Sequence, residues 1–128
     1  MSIERSRVLI VDDEKATTRL LKMTLDQTGK YEVRAEKDST LVVAAALEFR
    51  PDIIVLDVIM PDMDGGDVAA ALKERPELAR VPVVFLTATV RKSEVDRHGG
   101  MMGGYPFLAK PASTDAIVKF IDQNLSHS

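Results

Sequence analysis

The sequence predicts an α/β protein: a five-stranded parallel sheet with helices on both faces. Three observations lead there. Short apolar runs recur along the chain, among them Val8-Leu9-Ile10-Val11, Ile53-Ile54-Val55-Leu56 and Val83-Val84-Phe85-Leu86. Such runs, rich in β-branched residues and without alternation, suit strands buried on both faces. Between them lie segments whose apolar residues fall on one helical face. The connections are short and carry Gly or Pro. Alternating strands and helices with short connections give a parallel sheet covered on both sides. Right-handed crossovers then bring every strand's C-terminal end to one rim.

Each element has its own signature. After the run at Val8–Val11, a helix is expected from about Lys15 to Thr28, with Leu21 and Leu25 four apart and Gly29 as its C-terminal cap. Tyr31 to Ala35 alternates like a strand. Asp38, Ser39 or Thr40 is placed to cap the next helix, whose apolar stripe is Leu41, Val42, Ala45, Ala46 and Phe49 and which Pro51 stops. The strand Ile53–Leu56 ends in Asp57, followed by a loop with Pro61 and Gly65. Val68, Ala71, Leu72 and Arg75 mark a third helix, ended by Pro76. Pro82 to Thr87 is a fourth strand. A fourth helix is expected from near Arg91 and must end before Gly99, because four glycines and a proline between His98 and Pro106 disfavour helix. Phe107 to Lys110 is a short fifth strand. Ser113 caps a last helix bearing Ile117, Val118, Ile121 and Leu125 on one face.

Composition narrows the function. The chain has 128 residues, which suits one domain spanning 1–128 with a core of about 7–125. Without cysteine it has neither a disulfide framework nor a thiolate metal site. The net charge of −3, with acids and bases interspersed, does not suggest a nucleic-acid surface. No apolar run approaches membrane-spanning length, and Met1 to Arg7 lacks the apolar core of a signal peptide. Cytoplasmic residence fits these features. The length leaves no room for a second domain, so an output is expected through a partner or through a longer protein of which this chain is a piece.

The expected rim carries the chemistry. Strand one ends in Asp12-Asp13-Glu14, strand three in Asp57, strand four in Thr87 and strand five in Lys110-Pro111. Singly, each has an ordinary explanation: Asp12 and Asp13 as helix caps, Asp57 as a turn former, Thr87 as a strand residue, Lys110 as a solvated lysine. Together, in this order on one rim, they form a cluster of carboxylates with one hydroxyl and one ammonium. Two carboxylates about 5 Å apart at an effective dielectric of about 20 repel by roughly 3 kcal/mol. A hard divalent cation relieves this, and oxygen donors suit Mg²⁺, which keeps water positions that phosphate oxygens can fill. One carboxylate can itself be the nucleophile and form an aspartyl phosphate; Asp57, alone on the central strand, is best placed.

These residues resemble the receiver domain of bacterial two-component response regulators. The likeness rests on Asp12-Asp13, Leu56-Asp57 with Met60-Pro61 and Asp64-Gly65, Thr87-Ala88 and Lys110-Pro111, and covers about Arg7 to Leu125. It implies a doubly wound, flavodoxin-like three-layer sandwich with strand order 2-1-3-4-5, for which a member of this family is a standard example. It implies that Asp57 accepts a phosphoryl group from the phosphohistidine of a sensor histidine kinase or a histidine phosphotransfer protein. Asp13 would ligate Mg²⁺ directly and Asp12 largely through water, with Asp57 and the Ile59 backbone carbonyl completing the protein ligands. Lys110 would contact the phosphoryl group and Thr87 would swing its hydroxyl onto a phosphate oxygen. The Lys110-Pro111 bond would be cis. Phe107 would be the aromatic switch, signalling to a downstream target or fused output domain through the face built from the fourth helix, the fifth strand and the last helix. Such a protein catalyses its own phosphorylation and dephosphorylation and is not a turnover enzyme.

The chain departs from the family pattern in places. Phe107 stands where tyrosine is frequent, and Tyr105 becomes a candidate surface contact. The stretch Gly99 to Gly104 replaces a compact Gly-Ala turn and an acidic pair, which predicts a short or mobile fourth helix and argues against the charge-laced dimer of transcription-factor receivers. Ile59 and Thr89 occupy the two positions that tune phosphate lifetime; Ile59 cannot orient an attacking water, so slow self-dephosphorylation is expected. Three rivals are weaker. A haloacid-dehalogenase-type phosphatase needs an acid/base aspartate where Ile59 stands. A flavodoxin needs a phosphate cradle where Asp12-Asp13-Glu14 would repel the phosphate. A receiver-like interaction module that is never phosphorylated has no need of the full residue set.

Overall fold

The computed structural model describes residues 6–12, 15–57, 65–87, 101–102, 105–109 and 113–125. In chain order the elements are β1 (Ser6–Val11), α1 (Lys15–Thr28), β2 (Tyr31–Glu36), a 3-10 turn (Ser39–Leu41), α2 (Val42–Phe49), β3 (Ile53–Asp57), α3 (Gly65–Lys73), β4 (Val83–Thr87), β5 (Met101–Met102), β6 (Tyr105–Ala109) and a C-terminal helix (Thr114–Asn124).

The strands lie in the order β2-β1-β3-β4-β6-β5. The first four stand as 2-1-3-4, and the pairings from β2 through β6 are parallel. The expected five-stranded, wholly parallel sheet needs correction at its edge. Met101–Met102 forms a sixth strand, antiparallel to Tyr105–Pro106, with Met101 opposite Pro106 and Met102 opposite Tyr105. Only two residues, both glycine, separate the paired segments, the spacing of a tight hairpin. The fifth expected strand, Phe107 to Lys110, correspondingly begins earlier, at Tyr105.

Strand alternation divides the core into two layers. Leu9, Val11, Ile54, Leu56, Val83 and Phe85 point to one side, where α2 and α3 bring Val42, Ala46, Val68 and Leu72. Val8, Ile10, Ile53, Val55, Val84 and Leu86 point to the other, against Leu21 and Leu25 of α1 and Ile117 and Ile121 of the C-terminal helix. A side chain moved from water into such a layer contributes about 1.5–3 kcal/mol. Because β1, β3 and β4 are covered on both faces, their apolar residues need not alternate with polar ones, which is why they read as continuous runs.

Helix ends explain the remaining boundaries. Gly29 takes φ 72 after α1, the left-handed cap its lack of a Cβ permits. Ser113 accepts the Ala116 N–H at 3.1 Å, as expected of a cap. At α2 the expected cap acts on the 3-10 turn that leads into the helix: the Asp38 Oδ1 accepts from Thr40 N–H at 2.9 Å and from Thr40 Oγ1 at 2.6 Å. Leu41, the last residue of that turn, leaves the apolar stripe: it is 49% exposed. Arg75 lies beyond the end of α3, so the third helix stops two residues earlier than its spacing suggested.

Candidate functional site

The sheet register assembles the rim. Val11 pairs with Leu56, so Asp12 and Asp57 follow on adjoining strands. Asp57 pairs with Leu86, so Thr87 comes next on β4, and Thr87 pairs with Ala109, the residue before Lys110. Asp12, Asp57 and Thr87 are thus brought to the C-terminal ends of three neighbouring strands from positions up to 75 residues apart in sequence. In a parallel α/β sheet that rim is where ligands bind.

Asp12 is the buried charged residue among the described residues, at 4% exposure. Its N–H donates to the Glu36 carbonyl at 3.1 Å, extending the β1–β2 ladder one residue past the strand. The Glu36 carboxylate accepts the Asp38 N–H at 3.2 Å, which folds the β2 end over toward the 3-10 turn. Glu36 was not among the sequence candidates. Its carbonyl holds Asp12 through the backbone, and only the register reveals that. Hydrogen bonds from Thr40, chiefly from its hydroxyl, hold the Asp38 carboxyl below the usual carboxylate range.

Of the other site candidates, Asp57, Thr87 and Phe107 are described in their backbones. Phe107 lies on β6 opposite Phe85. Asp13, Ile59, Lys110 and Pro111 lie outside the described residues, as do the cis-peptide expectation at Lys110-Pro111, Thr89 and the fourth helix expected from Arg91. Among the described residues no three His, Cys, Asp or Glu side chains are grouped to hold a metal ion.

Away from the rim, a buried tyrosine and a half-buried lysine serve the scaffold. Tyr31, 2% exposed at the start of β2, donates its hydroxyl to Asp122 of the C-terminal helix. Burial, then that bond, pushes the phenol's pKa up. Lys73 donates to the Ala79 and Val81 carbonyls at 3.0 and 2.9 Å, and its burial lowers the amine's pKa.

A family model described as the response regulator receiver domain matches residues 8–122, from β1 to within the C-terminal helix. The chain belongs to that family. Among its relatives, the response regulator PleD of Caulobacter vibrioides is 42% identical over 107 residues, 83% of this chain. The chain spans 23% of PleD's own length. The chemotaxis protein CheY4 of Vibrio cholerae superposes with a TM-score of 0.82 at 27% identity, covering 95% of this chain and all of that one. The receiver domain of the sensor histidine kinase PA1611 of Pseudomonas aeruginosa PAO1 has its magnesium ion in the active-site cleft; it superposes at 0.78 over 94% of this chain and 98% of its own, with 23% identity, a likeness of fold. Receiver domains are the phosphoaccepting modules of two-component systems and are not in general turnover enzymes. No helix among the described residues is long and apolar enough to cross a membrane.

Proposed function

We propose that this receiver domain takes a phosphoryl group onto the carboxylate of Asp57. The observation that carries the reading is the register that sets Asp57 abreast of the buried Asp12 and one residue before Thr87 on the next strand. The donor is the phosphohistidine of a sensor histidine kinase or a histidine phosphotransfer protein. An Asp57 oxygen forms the new bond to phosphorus, the bond from phosphorus to the donor imidazole breaks, and the freed imidazole nitrogen takes a proton from water.

The donor set fits Mg²⁺. Two carboxylate positions on adjoining strand ends repel unless a positive charge is shared between them. Asp12, Asp13, Asp57 and the Ile59 carbonyl supply the hard oxygen ligands that Mg²⁺ prefers. When bound, the ion neutralises charge on the phosphoryl oxygens. Asp12 keeps its position through the Glu36 carbonyl. Lys110 pairs its ammonium with the phosphoryl group, and Thr87 turns its hydroxyl onto a phosphate oxygen. Phe107, two residues before Thr87's partner Ala109 on β6, passes the change to the face it shares with the C-terminal helix, where a target protein or a fused output domain reads it. The setting is cytoplasmic and the recognition is protein to protein, with no nucleic acid bound by this domain.

The haloacid-dehalogenase alternative loses its footing, because the acid/base position two residues after Asp57 is an isoleucine. The test is incubation with Mg²⁺ and acetyl phosphate, read by intact mass. Wild type gains one phosphoryl group; Asp57→Ala and a Mg²⁺-free control gain none. A wild-type chain that gains nothing, while folded by circular dichroism, refutes the reading.

A further inference from the structure

The α2 helix is not built like a helix whose outer face meets only water. Of its eight residues, Glu48 alone is charged. Val42, Ala45 and Ala46 turn inward and are buried. On the opposite side, Leu41 is 49% exposed, Ala44 is exposed, and Leu47 is half-buried at the mouth of a cleft of about 530 Å³ whose walls include Pro51, Leu78 and Val81. Leu41, Ala44 and Leu47 recur every three residues and share one face.

The helical run begins at the 3-10 turn, where Asp38 accepts the Thr40 N–H, so Leu41 sits inside the run with its side chain turned to solvent. The far end of the helix holds a residue that local stability disfavours. The left-handed position after the helix prefers Gly or Asn, yet it carries Arg50 at φ 55 and ψ 64. The exposed Arg50 guanidinium makes no ion pair or hydrogen bond among the described residues. An exposed leucine and an unpaired arginine, each in a place where another residue would serve the monomer better, point to a contact outside it.

We propose that this face joins two copies of the chain, their α2 helices antiparallel about a two-fold axis at Ala44. The surface is self-complementary under that symmetry. Residues equidistant from Ala44 meet: Leu41 packs on Leu47 of the partner subunit and closes the mouth of its cleft, and Arg50 faces Asp38 of the partner subunit. Asp38 suits this, since Thr40 occupies its Oδ1 and leaves Oδ2 without a partner among the described residues. Glu48 falls opposite Thr40, so no like charges oppose one another. Ala44 at the crossing lets the helices approach closely. This matching of charge and apolar spacing within one short surface favours a second copy over an unrelated partner. The patch is small, so the dimer is weak and concentration-dependent. It lies across the sheet from α1 and the C-terminal helix, so it leaves that side free and does not depend on phosphorylation of Asp57.

Sedimentation equilibrium of the whole chain, run up to millimolar protein, tests this. Wild type follows a monomer–dimer equilibrium. Ala44→Arg, which places two cations at the axis, raises the dissociation constant by at least about tenfold. Leu41→Asp does the same, and because Leu41 is 49% exposed a folded monomer is retained, checked by circular dichroism. Arg50→Asp weakens the dimer, and adding Asp38→Arg to it restores affinity to within about threefold of wild type. A chain that is monomeric throughout overturns the proposal, and so does a dimer indifferent to both Ala44→Arg and Leu41→Asp.

Discussion

The side chain of Tyr31 is closed off from water, and its hydroxyl is spent on Asp122. The neutral phenol is therefore favoured in the folded chain, and its pKa stands above that of the unfolded chain. The sign follows from linkage. Stability from this group is complete below the unfolded value of about 10 and is lost as pH rises through the higher folded value, because the unfolded chain then gives up the proton first. Urea titrations at successively more alkaline pH are expected to show stability falling above about pH 10, with a shallower fall in Tyr31→Phe. Lys73 acts in the opposite sense: its lowered pKa makes its burial costly at neutral pH and less so as pH rises. Its two bonds to the Ala79 and Val81 carbonyls offset that cost, and Lys73→Met, which abandons both carbonyls, is expected to lower stability by about 1–2 kcal/mol. At the site, Ile59 offers no hydrogen bond to an incoming water. Ile59→Asn is expected to shorten the lifetime of the phosphorylated form about tenfold, read as decay of the phosphorylated mass; an unchanged lifetime would remove Ile59 from the account.

At the scale of the element, two helix starts make parallel predictions. Ser113 caps the C-terminal helix through the Ala116 N–H, so Ser113→Ala is expected to cost about 1 kcal/mol. Asp38 holds the start of the 3-10 turn that leads into α2, so Asp38→Ala is expected to cost about as much, seen as a fall in Tm of about 3–5 °C at protein concentrations where the chain is monomeric. The same comparison shows where sequence reasoning works. Ser113 stands alone before an amphipathic stripe, and its role was legible. Before α2, three candidate caps stand in a row; Asp38 and Thr40 bond to each other across the 3-10 turn, and local propensity does not say which bond wins. The hairpin at Met101–Met102 was missed for a related reason. Two methionines between glycine pairs carry neither helix nor strand periodicity, and pairing with Tyr105–Pro106 is a tertiary fact.

For the molecule as a whole, the runs at Val8, Ile53 and Val83 made the layered architecture legible, because a strand covered on both faces has no polar side to show. The rim was legible for the same reason: once the strands are parallel, their final residues must meet. Asp12, Asp57 and Thr87 do meet in the backbone register, while the support from Glu36 was invisible because it runs through a main-chain carbonyl of the neighbouring strand. The two core layers differ in purpose. One carries α1 and the C-terminal helix beside β6, where the phosphorylation signal is proposed to leave; the other carries α2 and its outward apolar face. A cavity in the shared sheet should weaken the whole fold, and Ile54→Ala is expected to cost about 2–5 kcal/mol in urea unfolding.

The claim on which everything functional rests is that Asp57 is the phosphoacceptor. The most direct measurement is chemical trapping: phosphorylate the chain with acetyl phosphate and Mg²⁺, reduce the acyl phosphate with borohydride, and map the modified residue by peptide mass spectrometry. The account predicts conversion of Asp57 to homoserine and of no other carboxylate. Reduction mapped to Asp12, Asp13 or any other acidic residue, with Asp57 intact, would contradict it.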